Sequence, residues 1–258
     1  MPAPKDEQTV LVAFTLDFET GGLKCQTSAC TQIAIHATRL DTFEKIGSYV
    51  SYIQPYNKKE IKGVSKKRKV LKNKFEEEQS EPMDYEDKAL EYSAITMEML
   101  ENYGKPIEQV GQEVLQFIID NTPKCGKNQK PFLIGQNIPF DEGFFCQMME
   151  YAGLTKEVKK HLRGHEDYYG NWHPLTLDTI ILGQLALCHL PNVNSYKLEI
   201  MCERLGIELD DAHDADADVS ATTNVAAVLT QRMRNVNGDG GGQLQMAKAE
   251  KSRTHFKI

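Results

Sequence analysis

The sequence of 258 residues is poor in three features that would each indicate a particular class of protein. No apolar run approaches the roughly 20 residues that span a membrane, and the N-terminus lacks the basic-then-apolar form of a signal peptide. The six cysteines include no Cys-x-x-Cys pair that would suggest zinc or redox chemistry. Positive charge is in deficit, with a formal net charge of -7, which argues against nonspecific coating of nucleic acids but permits a locally positive groove. These absences predict a cytoplasmic protein without a membrane partner.

The cysteines themselves are scattered, and reduced thiols inside the cell usually serve as small packing groups. We therefore predict that they are reduced packing thiols. The alternative is that Cys25 and Cys30, with His36 nearby, act as metal ligands.

The chain has the composition of an ordinary globular protein, with 40% hydrophobic and 26% charged residues. Residues 8–236 are predicted to form one domain. Within it, a basic block from Asn57 to Lys74 is followed by an acidic block from Phe75 to Asp87, which predicts a charged surface insertion over 57–87. Its Lys-Lys-Arg-Lys core is alternatively a nuclear address. The glycine run near residue 240 predicts a flexible linker and tail over 237–258.

Three strand-like segments open the chain. Residues from Thr9 to Glu19 alternate in an apolar pattern, and the segments Gln32 to Leu40 and Ile46 to Ile53 follow after short polar connections. Such short connections predict an antiparallel meander of three strands.

Helical spacing then alternates with short strands. Helix faces are predicted in five places, and short strands are predicted over Phe132 to Gly135 and Leu175 to Asp178. The helices run from Ile107 to Ile118, from Phe140 to Ala152, over Ile180 to Cys188 and Lys197 to Leu205, and from near Asp214 to Met233. The order predicts an α/β fold with a mixed sheet flanked by helices, three antiparallel strands first and shorter strands after them.

Asp17 and Glu19 end the first strand. Side chains two residues apart in a strand lie on one face, so both carboxylates point the same way while Phe18 points to the opposite layer. Paired carboxylates repel unless they share a proton or a cation, and their oxygens suit magnesium or manganese. The alternative is a strand that ends in solvated acids, because an Asp-x-Glu pair is common by chance.

Two further acidic segments lie at the edges of elements. Asp141 begins a helix directly after a strand, where the helix dipole favours a carboxylate. His213 and Asp218 open the last helix with His-x4-Asp spacing. An ordinary first-turn acid and an incidental histidine are the alternatives at these two places, but the three segments in this order are a rare combination.

The three segments Asp17–Leu23, Asn137–Asp141 and His213–Asp218 resemble the three exonuclease motifs of the DEDD superfamily. The resemblance is to its His-containing branch, which includes the proofreading epsilon subunit of bacterial DNA polymerase III. Residues Ala94 to Leu100 are similar to the family's Gly-Ile-Thr segment, with Ala94 where glycine is common. The likeness covers about residues 9–233.

The resemblance implies a ribonuclease H-like fold and 3′-to-5′ exonuclease activity with two Mg²⁺ or Mn²⁺ ions. By motif position, the metal ligands are Asp17, Glu19, Asp141 and Asp218, and His213 is the general base. Asp214 lies one helical turn from Asp218 and is the alternative fourth ligand. The resemblance also implies substrate contacts at five positions, which are Thr20, Gly21, Leu23, Asn137 and Phe144; Leu23 and Phe144 are alternatively core residues.

The expected substrate is DNA, attacked at 3′ ends with a preference for single strands and released as nucleoside 5′-monophosphates. RNA is the nearest alternative, because no feature of the sequence is specific for the 2′-hydroxyl. A noncatalytic nucleic-acid-binding module associated with a polymerase is the alternative from another class, and a DNA polymerase is a candidate partner. Roles in replication, proofreading, repair and the degradation of foreign DNA all fit this expectation.

Overall fold

The computed structural model describes residues 11–59, 81–123, 130–209 and 214–234. Seven strands lie in this part of the chain: β1 (Val12–Thr20), β2 (Cys30–Arg39), β3 (Lys45–Tyr52), β4 (Phe132–Gly135), β5 (Gly164–Glu166), β6 (Trp172–Pro174) and β7 (Thr176–Asp178). The described residues also form eight helices: α1 (Asp87–Tyr92), α2 (Met97–Tyr103), α3 (Ile107–Asp120), α4 (Pro139–Tyr151), α5 (Thr155–His161), α6 (Thr179–Leu187), α7 (Leu198–Leu205) and α8 (Ala215–Arg234). No helix among the described residues is both long and apolar enough to cross a membrane.

Five strands form one mixed sheet in the order β3-β2-β1-β4-β7. Strands β1, β2 and β3 pair in antiparallel fashion, which confirms the predicted meander. Strands β4 and β7 add in parallel beside β1. The predicted α/β fold with a mixed sheet flanked by helices is therefore confirmed.

The two faces of the sheet are covered by different helices. Val12, Phe14, Leu16 and Phe18 of β1 pack in a core that includes residues of α3 and α4. The opposite face packs against α6, α7 and α8, where Ala13 joins a second apolar cluster. The strand periodicity thus sends the apolar residues of β1 to one layer and Asp17 and Glu19 to the other.

Several sequence-based expectations need adjustment. Helices α1, α2 and α5 and the β5–β6 hairpin are not predicted as elements, because each is too short to show a clear period. The helical pattern predicts Met233 on the buried face of α8, but its side chain is 42% exposed. It lies in the last turn of the helix, where residues 231–234 are all exposed.

The predicted insertion over 57–87 has two ends that belong to the folded domain. Lys58 N–H donates to the Glu81 carbonyl at 2.7 Å, and Met83 is buried in the core. Residues 60–80 and the predicted tail over 237–258 lie outside the described residues, so their nature stays a prediction.

Candidate active site

The acids at the end of β1 lie on the sheet face that α8 covers. Asp17 pairs across the sheet with Ala34, and Glu19 pairs with Gln32. Ala34 packs with Ala215 and Val219 of α8, so small side chains allow this helix to approach the strand closely. The close approach brings the first turn of α8 over the end of β1.

Asp218 of α8 joins the two strand acids. One carboxylate oxygen from each of Asp17, Glu19 and Asp218 lies within 4.8 Å of the other two. Within the described ranges these three residues are the only group of His, Cys, Asp or Glu side chains with the spacing of metal ligands. Three hard oxygen donors at this spacing fit a divalent cation such as Mg²⁺ or Mn²⁺.

Asp141 reaches the same place from the other side of the sheet. It lies in the first turn of α4, directly after β4, and is only 3% exposed. Its Oδ1 accepts a hydrogen bond of 3.0 Å from the backbone N–H of Phe18, the residue between Asp17 and Glu19. Asp178 stabilises the loop that leads into α4, because its Oδ1 accepts a hydrogen bond of 3.1 Å from Asn137 N–H.

The clustering of carboxylates raises their pKa values. Burial, followed by the charges of Asp218 and Asp214, raises the pKa of Asp17 to about 7. Burial and the charge of Asp17 raise the pKa of Glu19 to about 8. Burial and the charge of Asp17 also raise the pKa of Asp141. The site therefore holds protons near neutral pH unless a cation replaces them.

The acids open into a cavity of about 610 Å³. Its remaining lining comes from β1, the loop after it, α1, the start of α4, α7 and one residue beyond α7. These lining residues are Phe18, Thr20, Gly22, Leu23, Glu86, Lys88, Ala89, Tyr92, Gln136, Asn137, Phe140, Leu198, Glu199 and Leu209. Lys88 is the one basic side chain among them. Sequence reasoning missed the contributions of α1 and α7, and the only signal for α1 was its position before the segment similar to Gly-Ile-Thr.

The predicted substrate contacts divide into two groups. Thr20, Leu23 and Asn137 line the cavity, and Leu23 is 81% exposed. Gly21 does not line it, because its backbone lies against Asp84, where a Cβ atom would stand 2.5 Å from the carbonyl oxygen. Phe144 is fully buried in the core with Phe18, so its assignment as a substrate contact is corrected to a packing role.

The third motif is only partly described. Residues 210–213, which include the predicted general base His213, lie outside the described ranges. Asp214, the alternative ligand, is exposed, and its charge raises the pKa values of Asp17 and Glu19. Asp218 and not Asp214 belongs to the group with metal-ligand spacing.

The alternative metal site at Cys25, Cys30 and His36 does not form in the structure. The Cys30 thiol donates to the Gln147 side-chain oxygen at 3.3 Å. His36 instead pairs with Asp216 at 2.6 Å. All five described cysteines are free thiols.

A mixed sheet with carboxylates that converge on one cavity at the end of its central strand defines a class of α/β proteins whose site suits divalent cations. Residues 64–226 match the RNase_T family, whose description is exonuclease. Because the match spans more than half of the chain, the protein belongs to this exonuclease family. The match includes Asp141 and Asp218, whereas Asp17 and Glu19 precede it.

Solved structures share the fold. Escherichia coli Exonuclease I in complex with a dT13 oligonucleotide aligns with a TM-score of 0.61 at 19% identity, over 88% of this chain and 42% of that chain. Exonuclease I from Methylocaldum szegediense gives a TM-score of 0.57 at 20% identity, again over 88% and 42%. This chain therefore spans less than half the length of those proteins. The likeness confirms the ribonuclease H-like fold, and no curated protein sequence matches the chain.

Proposed function

We propose that the protein is a metal-dependent 3′-to-5′ exonuclease that hydrolyses single-stranded DNA to nucleoside 5′-monophosphates. The observation that carries the proposal is the convergence of Asp17, Glu19 and Asp218 on one cavity, with the buried Asp141 beside them. Membership of an exonuclease family supports hydrolysis from an end. The 3′-to-5′ direction rests on the resemblance of the three motifs to the DEDD superfamily.

The four carboxylates are the groups that would hold two divalent ions, Mg²⁺ or Mn²⁺. Such ions, when bound, supply the charge that activates a water and stabilises the departing 3′ oxygen. The raised pKa values of Asp17 and Glu19 support this assignment. Carboxylates this close together are stable as anions only if a positive charge, such as a bound cation, offsets their repulsion. By holding such ions, the carboxylates would let a phosphate approach the end of β1 in spite of their own negative charge.

His213 is proposed as the general base on motif resemblance. Imidazole has an unperturbed pKa of about 6.5, so it accepts a proton from water near neutral pH. Its neighbour in sequence, Asp214, is close enough to the strand acids to raise the pKa of Asp17. That proximity supports a role for this segment at the reacting phosphate.

The cavity lining includes one exposed apolar side chain and one basic side chain that suit a nucleotide at a chain end. Leu23 presents an exposed apolar side chain to the cavity, which fits contact with the face of a base. Lys88 offers a positive charge in a cavity lined by several acids, which fits contact with a phosphate. DNA is proposed as the substrate because E. coli Exonuclease I, which shares the fold, was solved with a dT13 oligonucleotide.

The experiment compares single-stranded DNA, duplex DNA and RNA of one sequence, each labelled at the 5′ end. A ladder of shortening labelled products that requires Mg²⁺ or Mn²⁺ is the expected result on single-stranded DNA. Asp17→Asn is the control that should give no ladder. Release of the labelled nucleotide first would reverse the direction, faster RNA digestion would reassign the substrate, and digestion by Asp17→Asn would overturn the site.

A further inference from the structure

The first turn of α8 and the residue before it contact β2 at three alternate positions on one face of the strand. Gln32, Ala34 and His36 alternate along β2, so their side chains project to the same side. Ala34 packs with Ala215 in the centre of this contact. Gln32 Nε2 donates to Asp214 Oδ1 at 3.5 Å on one side of it, and His36 Nε2 lies 2.6 Å from Asp216 Oδ1 on the other.

Helix geometry sets the directions in which Asp216 and Asp218, two acids in the first turn of α8, project. Residues two apart in an α-helix are separated by about 200° around the axis, so Asp216 and Asp218 of α8 project to opposite sides. Asp214 precedes the helix, and its backbone carbonyl accepts from Asp218 N–H at 3.0 Å. The contact of Asp216 with His36 and the grouping of Asp218 with Asp17 and Glu19 therefore lie on opposite sides of α8.

The strand register gives the same orientation. Glu19 lies opposite Gln32, whereas Thr15, two residues before Asp17 in β1, lies opposite His36. His36 and Asp216 are thus on the side of α8 that faces away from the acidic cavity. Neither residue lines the cavity.

Burying the polar side chain of His36 at this position costs stability unless its ring nitrogens find hydrogen-bond partners. Its side chain is only 1% exposed, and a buried ring nitrogen without a partner costs stability. Because a carboxylate only accepts hydrogen bonds, Nε2 carries the hydrogen that is donated to Asp216. The half-exposed Asp216 provides the hydrogen-bond partner of the buried histidine.

We propose that His36 and Asp216 are a pair of positioning residues that sets the rotation of α8 and thereby the place of Asp218 among the metal ligands. The proposal rests on the proposed function, since it presumes that Asp218 binds a divalent ion. Partners that orient metal ligands indirectly typically change metal affinity by about 10-fold to 100-fold when removed. Removal of this contact should therefore weaken metal binding without removing any ligand.

The test measures Mn²⁺ binding to the full chain without nucleic acid, by electron paramagnetic resonance of the free ion. Asp216→Ala should weaken Mn²⁺ affinity by about 10-fold, the lower end of the range for indirect partners. Asp216→Asn should restore most of the affinity, because its amide oxygen still accepts from His36 while the charge is gone. Asn224→Ala, an exposed position further along α8, is the control that should bind as the wild type does.

A double-mutant cycle that combines Asp216→Ala with His36→Ala tests whether the two side chains act together on Mn²⁺ affinity. The double variant should bind Mn²⁺ no more weakly than Asp216→Ala alone if the two side chains act through each other. Equal Mn²⁺ affinity of Asp216→Ala and the wild type would overturn the proposal. An equal loss of Mn²⁺ affinity in Asp216→Ala and Asp216→Asn would overturn it too, because it would indicate an effect of the charge of Asp216 and not of its hydrogen bond. Asp17→Asn separates this outcome from the proposed function: if it leaves Mn²⁺ binding unchanged, the metal site itself fails.

Discussion

The Oδ1 atom of Asp141 accepts a hydrogen bond of 3.0 Å from the backbone N–H of Phe18, 123 residues earlier in the chain. The bond joins the end of β1 to the first turn of α4. It holds Asp141 beside Asp17 and Glu19 in spite of their mutual repulsion. The side chain thus has two separable roles, one as a charge and one as a hydrogen-bond acceptor.

Two substitutions of Asp141 should separate these roles. Asp141→Asn keeps an oxygen that accepts from Phe18, so it should fold normally and lose hydrolysis. Asp141→Ala removes the acceptor as well and leaves a buried N–H unsatisfied, which costs about 1–3 kcal/mol. Thermal unfolding in metal-free buffer should show Asp141→Ala melting below Asp141→Asn; equal melting temperatures would mean that the hydrogen bond contributes nothing.

The metal-free protein should lose stability as pH rises from about 4 to about 8. Asp17 and Glu19 have folded-state pKa values of about 7 and about 8, above the ordinary values of 3.8 and 4.5. The folded protein therefore binds more protons than the unfolded chain in this window, and its stability falls with pH. Asp17→Asn should flatten the decline in denaturant unfolding, and Mg²⁺ at pH 8 should restore stability to the wild type. A slope identical in variant and wild type contradicts the raised pKa of Asp17.

His213→Ala should lower the turnover rate by about 10²-fold to 10⁴-fold, the usual contribution of a positioned general base. Affinity for Mn²⁺ should change little, since the residue is not a proposed ligand. Higher pH should restore part of the rate, because hydroxide replaces the base. Comparing Asp214→Ala with Asp218→Ala checks the assignment of the fourth ligand, which fails if the two lose metal affinity equally.

Lys88→Ala should raise KM for single-stranded DNA more than it lowers kcat. Each lysine that neutralises a phosphate of a single strand contributes about 0.7 to the slope of log affinity against log salt concentration. The variant should show a slope smaller by about that amount in fluorescence-anisotropy titrations with inactive protein. Lys160→Ala in α5, outside the cavity lining, is the matched control. If Lys160→Ala lowers the salt slope as much as Lys88→Ala does, Lys88 has no specific role in binding phosphate.

Deletion of residues 60–80 should leave the domain folded. Lys58 and Glu81 already form a backbone hydrogen bond of 2.7 Å across the base of this segment, so a short Gly-Ser linker closes the gap. Binding to long single strands should weaken and its salt dependence should flatten, because most of the lysines of the basic block are removed. Turnover of a dinucleotide should stay nearly unchanged. Equal salt slopes with and without residues 60–80 exclude a role of this segment in binding.

The sequence alone determined the sheet meander and the face of β1 on which its acids lie. A two-residue period is a direct consequence of strand geometry, so the alternation by itself places Asp17 and Glu19 on one face and Phe18 on the other, as the folded chain has them. The short strand Phe132–Gly135 is likewise predicted with its observed bounds. Local geometry sufficed for these features because each depends only on neighbours in sequence.

Tertiary packing decided the rest. Phe140 and Phe144 lie one helical turn apart and look alike in sequence, yet Phe140 lines the cavity while Phe144 is fully buried. The short helix α1 contributes Lys88 and Tyr92 to the cavity although its six residues show no clear period. The pairing of His36 with Asp216 joins residues 180 positions apart. No local pattern records such a contact, because it exists only once α8 has packed on the sheet.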